Sequence, residues 1–186
     1  MSWASYGMTN VAALCILAEK LGGMVPIPLS GEGNVLPSVL SSANVNGWRS
    51  SFLRSATLEF SRDRKSMSVL CRPEGAKGKK NNRLLVKGAP NLLLKRCTHV
   101  KFRDGTVSKL TGDLRRLIET KTSELATRPL RCLALAVKET QHLERTLKTH
   151  APDENEDSGS AARKHPLLSD SSKYADIESG LTLVGE

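Results

Sequence analysis

Three short extended runs, linked by tight or polar connections, constrain the fold of this chain more than any other feature. Thr57–Phe60 and Ser66–Cys71 are separated by a single charged corner around Arg62-Asp63-Arg64, so the two runs read as neighbouring strands. A basic, glycine-containing loop over Pro73–Asn82 then leads to a third run at Leu84–Lys87. A meander of this kind needs helices or further strands to cover it, and the flanking sequence supplies both.

Leu14, Leu17, Ala18 and Leu21 fall at helical spacing, predicting a helix over Val11–Leu21 stopped by Gly22-Gly23. Pro26–Asn46, rich in Ser, Gly, Pro and Asn, reads as loop with at most one helical turn. Pro90 suits the first turn of a short helix through Leu92, Leu93 and Leu94. Asp104-Gly105 marks a hairpin within Val100–Lys109. Leu114, Leu117, Ile118 and Leu125 predict a helix that starts at Thr111-Gly112-Asp113 and ends by Pro129. Arg131–Val137 then reads as an interior strand with apolar residues on both faces, and Leu181–Val184 returns the chain to the sheet. The expected class is α/β of the α+β type: a largely antiparallel, twisted sheet flanked by helices.

At 186 residues and 20.2 kDa the chain suffices for one domain with its own core. Aromatic residues make up only 4%, so that core must be aliphatic. No apolar window reaches the roughly 18 residues of a membrane span, and the amino terminus lacks the pattern of a secretory leader, which predicts a soluble cytosolic domain without membrane insertion. Cys15, Cys71, Cys97 and Cys132 stand singly, with no metal-ligand spacing, and are expected to be free thiols. The stretch 150–173, dominated by Pro, Asp, Glu, Asn, Ser and Gly, reads as a mobile surface insertion, with its serines as candidate phosphorylation sites.

The net charge is +9 and unevenly spread: Phe60–Arg103 is crowded with Lys and Arg and holds only Asp63 and Glu74 as acids. Such a face attracts phosphates, whether of a nucleotide or of a nucleic acid. The chain has no glycine-rich phosphate loop, so a nucleotide would have to be held by ring stacking and by side-chain cations. Phe60 could offer the ring or be an ordinary core residue. Arg62 and Lys65 share one corner and could meet phosphates or simply be solvated. Lys87 ends a run and precedes Gly88, whose missing side chain permits close approach to the backbone. Arg131, read as the start of an interior strand, would need a partner for its charge: a ligand phosphate or a carboxylate of the domain itself.

Taken in order, Phe60-Ser61-Arg62-Asp63-Arg64-Lys65-Ser66-Met67-Ser68-Val69, Lys87-Gly88-Ala89-Pro90 and Arg131-Cys132-Leu133-Ala134-Leu135-Ala136 resemble the nucleotide-binding domain of P-type cation pumps. The first segment is most similar to the sarco/endoplasmic reticulum calcium pumps. The resemblance implies a P-type ATPase N-domain fold over 11–186 and ATP, as Mg-ATP, for the ligand, with no metal held by the domain itself. It implies an adenine platform at Phe60, Lys87 with Gly88 at the pocket mouth, phosphate contacts from Arg62, Lys65 and Arg131, and Cys132 and Leu133 lining the base pocket. The phosphorylation and actuator domains of a parent calcium-transporting pump are the implied partners, and the cytosolic face of the reticulum membrane is the implied location.

Two departures from the family pattern accompany the match. Where the family carries Gly-Glu-x-Thr-Glu before its first helix, this chain reads Gly7-Met8-Thr9-Asn10-Val11, so either residues 1–10 are foreign to the fold or the acidic adenine contact is lost. The phosphorylation motif Asp-Lys-Thr-Gly-Thr does not occur, so the chain by itself is expected not to hydrolyse ATP. The alternative reading is a basic nucleic-acid or phosphoprotein interaction module. It sits poorly with Trp3, Tyr6, Trp48 and Tyr174 lying outside the basic stretch, which leaves bases little to stack on. A self-contained hydrolase lacks a Ser-His-Asp or metal constellation.

Overall fold

A computed structural model describes residues 4–22, 43–73, 82–128, 131–139, 168 and 170–185. Residues 74–81 of the basic loop predicted at 73–82, most of the stretch predicted as loop at 26–46, and most of the 150–173 insertion lie outside the described residues. The chain divides into two compact units, Met1–Leu53 and Arg54–Glu186.

The first unit holds α1 (Ala4–Leu21) and α2 (Ala43–Ser51). Helix α1 stops where expected: Gly22 adopts φ 65°, the left-handed conformation that glycine takes without penalty, and its N–H donates to the Ala18 carbonyl at 3.1 Å. Its start lies seven residues before the predicted Val11. Helix α2 overlaps the end of the predicted loop, and a contact distant in sequence accounts for its start. The Glu19 carboxylate of α1 accepts from the N–H groups of Asn44 at 3.1 Å and Val45 at 2.8 Å, first-turn donors that no intrahelical partner can satisfy. The Val45 N–H bond, foremost among several, holds the Glu19 carboxyl below its ordinary pKa. Trp48 and Phe52 stack with centroids 5.8 Å apart.

The second unit is built on a seven-stranded sheet: β1 (Phe52–Ser61), β2 (Ser66–Pro73), β3 (Arg83–Gly88), β4 (Cys97–Lys101), β5 (Val107–Lys109), β6 (Ala134–Glu139) and β7 (Leu181–Gly185). Their spatial order is β1-β2-β3-β6-β7-β4-β5. The β2–β3, β3–β6, β6–β7 and β4–β5 ladders are antiparallel, whereas β4 and β7 run parallel. This is the expected α+β class. The helices described in this unit are α3 (Pro90–Arg96), α4 (Gly112–Ala126) and α5 (Tyr174–Ile177), the last preceded by a 3₁₀ turn at Ser171–Lys173.

Alternation along the strands places Leu70, Leu84, Val86, Ala134, Ala136, Leu181 and Leu183 in one aliphatic cluster with Leu93 and Leu94 of α3. Leu114 and Ile118 of α4 pack on that cluster, but Leu117 and Leu125, predicted for the same face, are exposed. A helix turning 100° per residue puts 117 beside the stripe and not within it. Leu168, inside the stretch predicted as a mobile insertion, is buried in this core, and the Tyr174 hydroxyl donates to its carbonyl at 2.6 Å.

Local chemistry sets the helix ends. Thr111 caps α4, its hydroxyl accepting from Leu114 N–H at 3.3 Å. Arg115 closes α3 from outside, donating from Nη1 to the Leu94 carbonyl and from Nη2 to the Cys97 carbonyl at 3.0 Å. Asp104 shapes the β4–β5 hairpin by accepting from Thr106 N–H and hydroxyl, while Gly105 adopts φ 88°. No helix among the described residues is long and apolar enough to cross a membrane.

All four cysteines are free, Cys71 and Cys97 buried and Cys15 and Cys132 half-buried. Burial pushes the Cys97 thiol up to about 11 and raises that of Cys71 as well, so neither is a thiolate near pH 8. Maleimide labelling of the native chain followed by peptide mass mapping should modify Cys15 and Cys132 first. Cys71 and Cys97 should react at a comparable rate only after denaturation.

Candidate functional site

Four segments converge at one end of the sheet. Strand β1 ends at Ser61, the turn 62–65 reverses the chain and β2 starts at Ser66; β3 ends at Gly88, and β6 starts at Ala134. The registers fix their adjacency, because Ser66 lies opposite Gly88 and Gly88 opposite Ala134. The Ala89 N–H also donates to the Lys65 carbonyl at 2.9 Å, tying the corner to the turn after β3. Phe60, Arg62, Lys65, Lys87, Gly88 and the run Arg131–Leu133 therefore occupy one edge of the molecule although 73 positions separate the first from the last (133 − 60).

The exposed groups of this edge are those a charged, partly aromatic ligand would use. Phe60 is 61% exposed, far too open for a core ring. Arg62 and Lys65 are exposed on the turn. Lys87 is half-buried and sits between Met67 and Leu135 in one row across three strands, on the face opposite the row Ser66, Gly88 and Ala134. An aliphatic strip thus flanks the lysine stem, and the ammonium can reach outward past it. Met67 and Leu135 belong to motif segments, yet sequence alone did not single them out; the strand register does.

Two readings of the sequence are corrected. Arg131 was expected to begin an interior strand and to need a partner for a buried charge. In fact β6 begins at Ala134, and Arg131 is exposed ahead of it, where water solvates the guanidinium. The strand is interior, between β3 and β7, but its faces differ: Ala134 and Ala136 are buried while Leu135 is exposed. Gly88 was expected to leave room for a ligand. A Cβ built there would lie 2.8 Å from the Lys65 carbonyl oxygen and 2.9 Å from Ser66 Cβ, so the space is filled by the corner itself.

Beneath the corner lies a polar cluster that the sequence did not reveal. Glu178, directly after α5, is fully buried. Its Oε1 accepts from Arg64 Nη1 and from the Ser68 hydroxyl at 2.8 Å; its Oε2 accepts from Arg96 Nη1 and from the Ser66 hydroxyl at 2.7 Å. Arg64 also donates from Nη2 to the Glu59 carbonyl and from Nε to Ser61 Oγ at 3.1 Å, and lies 5.0 Å over the Tyr174 ring. Arg96 Nη2 donates to the Arg64 carbonyl at 3.1 Å. Lys65, whose N–H donates to the Ser61 carbonyl at 2.9 Å, adopts φ 47°, a left-handed conformation that costs a non-glycine residue roughly 1–2 kcal/mol. The only hint in the sequence is Ser66-x-Ser68, two hydroxyls at core-facing positions where aliphatic residues would be expected.

Among the described residues, no three His, Cys, Asp or Glu side chains gather as a metal-ligating group. Exposed cations, an exposed ring and an aliphatic strip can bind and orient an anion with a flat base.

Comparison with known proteins identifies a family and relatives. The family described as P-type ATPase, cytoplasmic domain N, matches residues 2–186. The chain is 34% identical over 193 residues to Calcium-transporting ATPase 2, endoplasmic reticulum-type, of Arabidopsis thaliana, covering 96% of this chain and 16% of that protein. It is 36% identical over 184 residues to Calcium-transporting ATPase 4, endoplasmic reticulum-type, of the same plant, covering 98% and 16%. A probable calcium-transporting ATPase of Trypanosoma brucei brucei is 29% identical over 197 residues, covering 96% and 18%. The chain thus spans about one-sixth of the length of the curated relatives it matches.

The close approach at Gly88 generates a test independent of any ligand. Gly88→Ala should force the Lys65 carbonyl outward and destabilise the domain by about 1–3 kcal/mol in urea melts. Backbone amide shifts should change most at Lys65, Ser66 and Ala89. A variant as stable as the parent, with those amides unmoved, would contradict the packing described.

Proposed function

Because this chain belongs to the P-type ATPase cytoplasmic domain N family, we propose that it holds ATP and presents it to a phosphorylation domain of a larger cation pump. The observation that carries the reading is the convergence of Phe60, the 62–65 corner, Lys87 and Arg131–Leu133 at one end of the sheet, with Phe60, Arg62, Lys65 and Arg131 exposed. Phe60 stacks on the adenine, and the Lys87 stem with Met67 and Leu135 lies along its other apolar surface. Cys132 and Leu133, half-buried just ahead of β6, border the base, while Gly88 lets the corner pack against the end of β3. Arg62, Lys65 and Arg131 take the phosphates, whose charge matches theirs and whose oxygens accept several donors at once.

Any Mg²⁺ arrives with the phosphates, as no cluster of protein ligands among the described residues would hold it alone. The relatives named as endoplasmic reticulum-type calcium-transporting ATPases support calcium as the transported ion and the cytosolic face of the reticulum membrane as the place of action. The phosphorylation and actuator domains of such a pump are the partners. The sequence contains no Asp-Lys-Thr-Gly-Thr, so within this chain the chemistry is binding and orientation.

Isothermal titration of the 186-residue chain with ATP should give a dissociation constant near millimolar, about −4 kcal/mol, as befits a site completed by a second domain. Phe60→Ala should lose about 1–3 kcal/mol of that binding, the worth of one stacked base, with the melting temperature little changed because the ring is exposed. Phosphate release should stay at the buffer blank. Nanomolar binding of an oligonucleotide at physiological salt, with ATP unable to compete, would replace this reading with the nucleic-acid one.

A further inference from the structure

The residues proposed to meet phosphates do not position themselves. Arg62 and Lys65 stand on a turn of four residues, and the second of them is in a left-handed conformation that an isolated chain would abandon. The turn is closed locally, Lys65 N–H donating to the Ser61 carbonyl at 2.9 Å and Arg64 N–H to Ser61 Oγ at 3.3 Å, but what ties it to the rest of the domain comes from far along the chain. Glu178 grips Arg64 inside the turn, Ser66 at its exit and Arg96 on α3, and Arg96 returns to the turn through the Arg64 carbonyl. We infer that Glu178 is a positioning residue for phosphate recognition, setting the angle of the 62–65 corner through Arg64 and Arg96 without touching the ligand.

The inference rests on the nucleotide reading and adds a division of labour to it. Phe60 is carried by β1, whose ladder with β2 fixes its place. The corner, by contrast, is anchored beyond its own Ser61 bonds by a carboxylate 112 residues from Ser66 in sequence. Loosening Glu178 should therefore degrade phosphate contacts while sparing the base. Tyr174 and Lys138 join the same device. The Tyr174 ring lies against the Arg64 guanidinium, and the Lys138 ammonium donates to the Ile177 carbonyl at 3.3 Å, one residue before Glu178. The carboxylate is thus held from behind by the end of α5.

A global structural role would weaken every ligand alike, so the discriminating quantity is the ratio of ATP to adenosine affinity. In the full chain, Glu178→Gln should lower ATP affinity about tenfold, one hydrogen-bonded charge contact being worth about that factor, while adenosine affinity stays within about twofold. Should E178Q fail to give a cooperative melt, Arg96→Met decides: it leaves the Arg64–Glu178 pair intact, removes the bond to the Arg64 carbonyl and should shift the ratio about threefold in the same direction. Parallel loss of ATP and adenosine in the folded variant, or an unchanged ratio, would overturn the inference. A parent chain that binds adenosine as well as ATP would overturn the phosphate assignments of the nucleotide reading, and this inference with them.

Discussion

One buried carboxylate sits between two guanidinium groups, and the working edge of the domain is arranged around it. Taking Glu178, Arg64 and Arg96 out of water is expensive, and the cost is offset only because each carboxylate oxygen accepts one guanidinium and one serine hydroxyl. Removing one partner from such a cluster typically costs about 3–5 kcal/mol, since an uncompensated charge stays behind. Aliphatic residues of similar volume would fill the space at lower cost in desolvation. What they could not do is hold a left-handed turn at a fixed angle, because dispersion contacts have no direction and charge-assisted hydrogen bonds do.

The sheet was largely legible because its signals are local. Alternating apolar residues in β2 and β3, the Asp104-Gly105 turn, Pro90 at the first turn of α3 and Thr111 at the cap of α4 each act within a few residues, and each falls where expected. The start of α2 was not legible: its first-turn donors are satisfied by Glu19, more than twenty positions earlier. Leu117 and Leu125 show a further limit. An apolar residue at helical spacing marks a face only to within the width of that face, and Leu117 falls at its border; Leu125 lies in line with Leu114 and Ile118 but in the last turn of α4, where it is exposed.

The candidate site was legible as a set of segments, not as a geometry. Its motifs give the order Phe60, Lys87, Arg131; that they share one end of the sheet follows from strand registers that no short pattern contains. Reading Arg131 as the first residue of a strand made its charge look buried, whereas the strand begins three residues later and the side chain is solvated. Gly88 looked like a clearing for a ligand and is instead a contact between two backbone segments. Arg64, Arg96 and Glu178 look like surface charges in sequence because burial of a charge depends on partners, and theirs lie up to 114 residues apart.

The place of β7 has a consequence for how this domain is made. Residues 181–185 lie in the interior of the sheet, antiparallel to β6 on one side and parallel to β4 on the other. On a ribosome, every other strand emerges before the one that joins them. Until then β6 on one side and β4 on the other present unpaired edges, each a template for pairing with a foreign chain. Contacts of such high sequence separation are intrinsically slow to form, so the half-made sheet has a lifetime as an aggregation-prone nascent chain. Vectorial synthesis therefore leaves the sheet's closing step to its last strand, and Glu178 reaches the corner only just before that step.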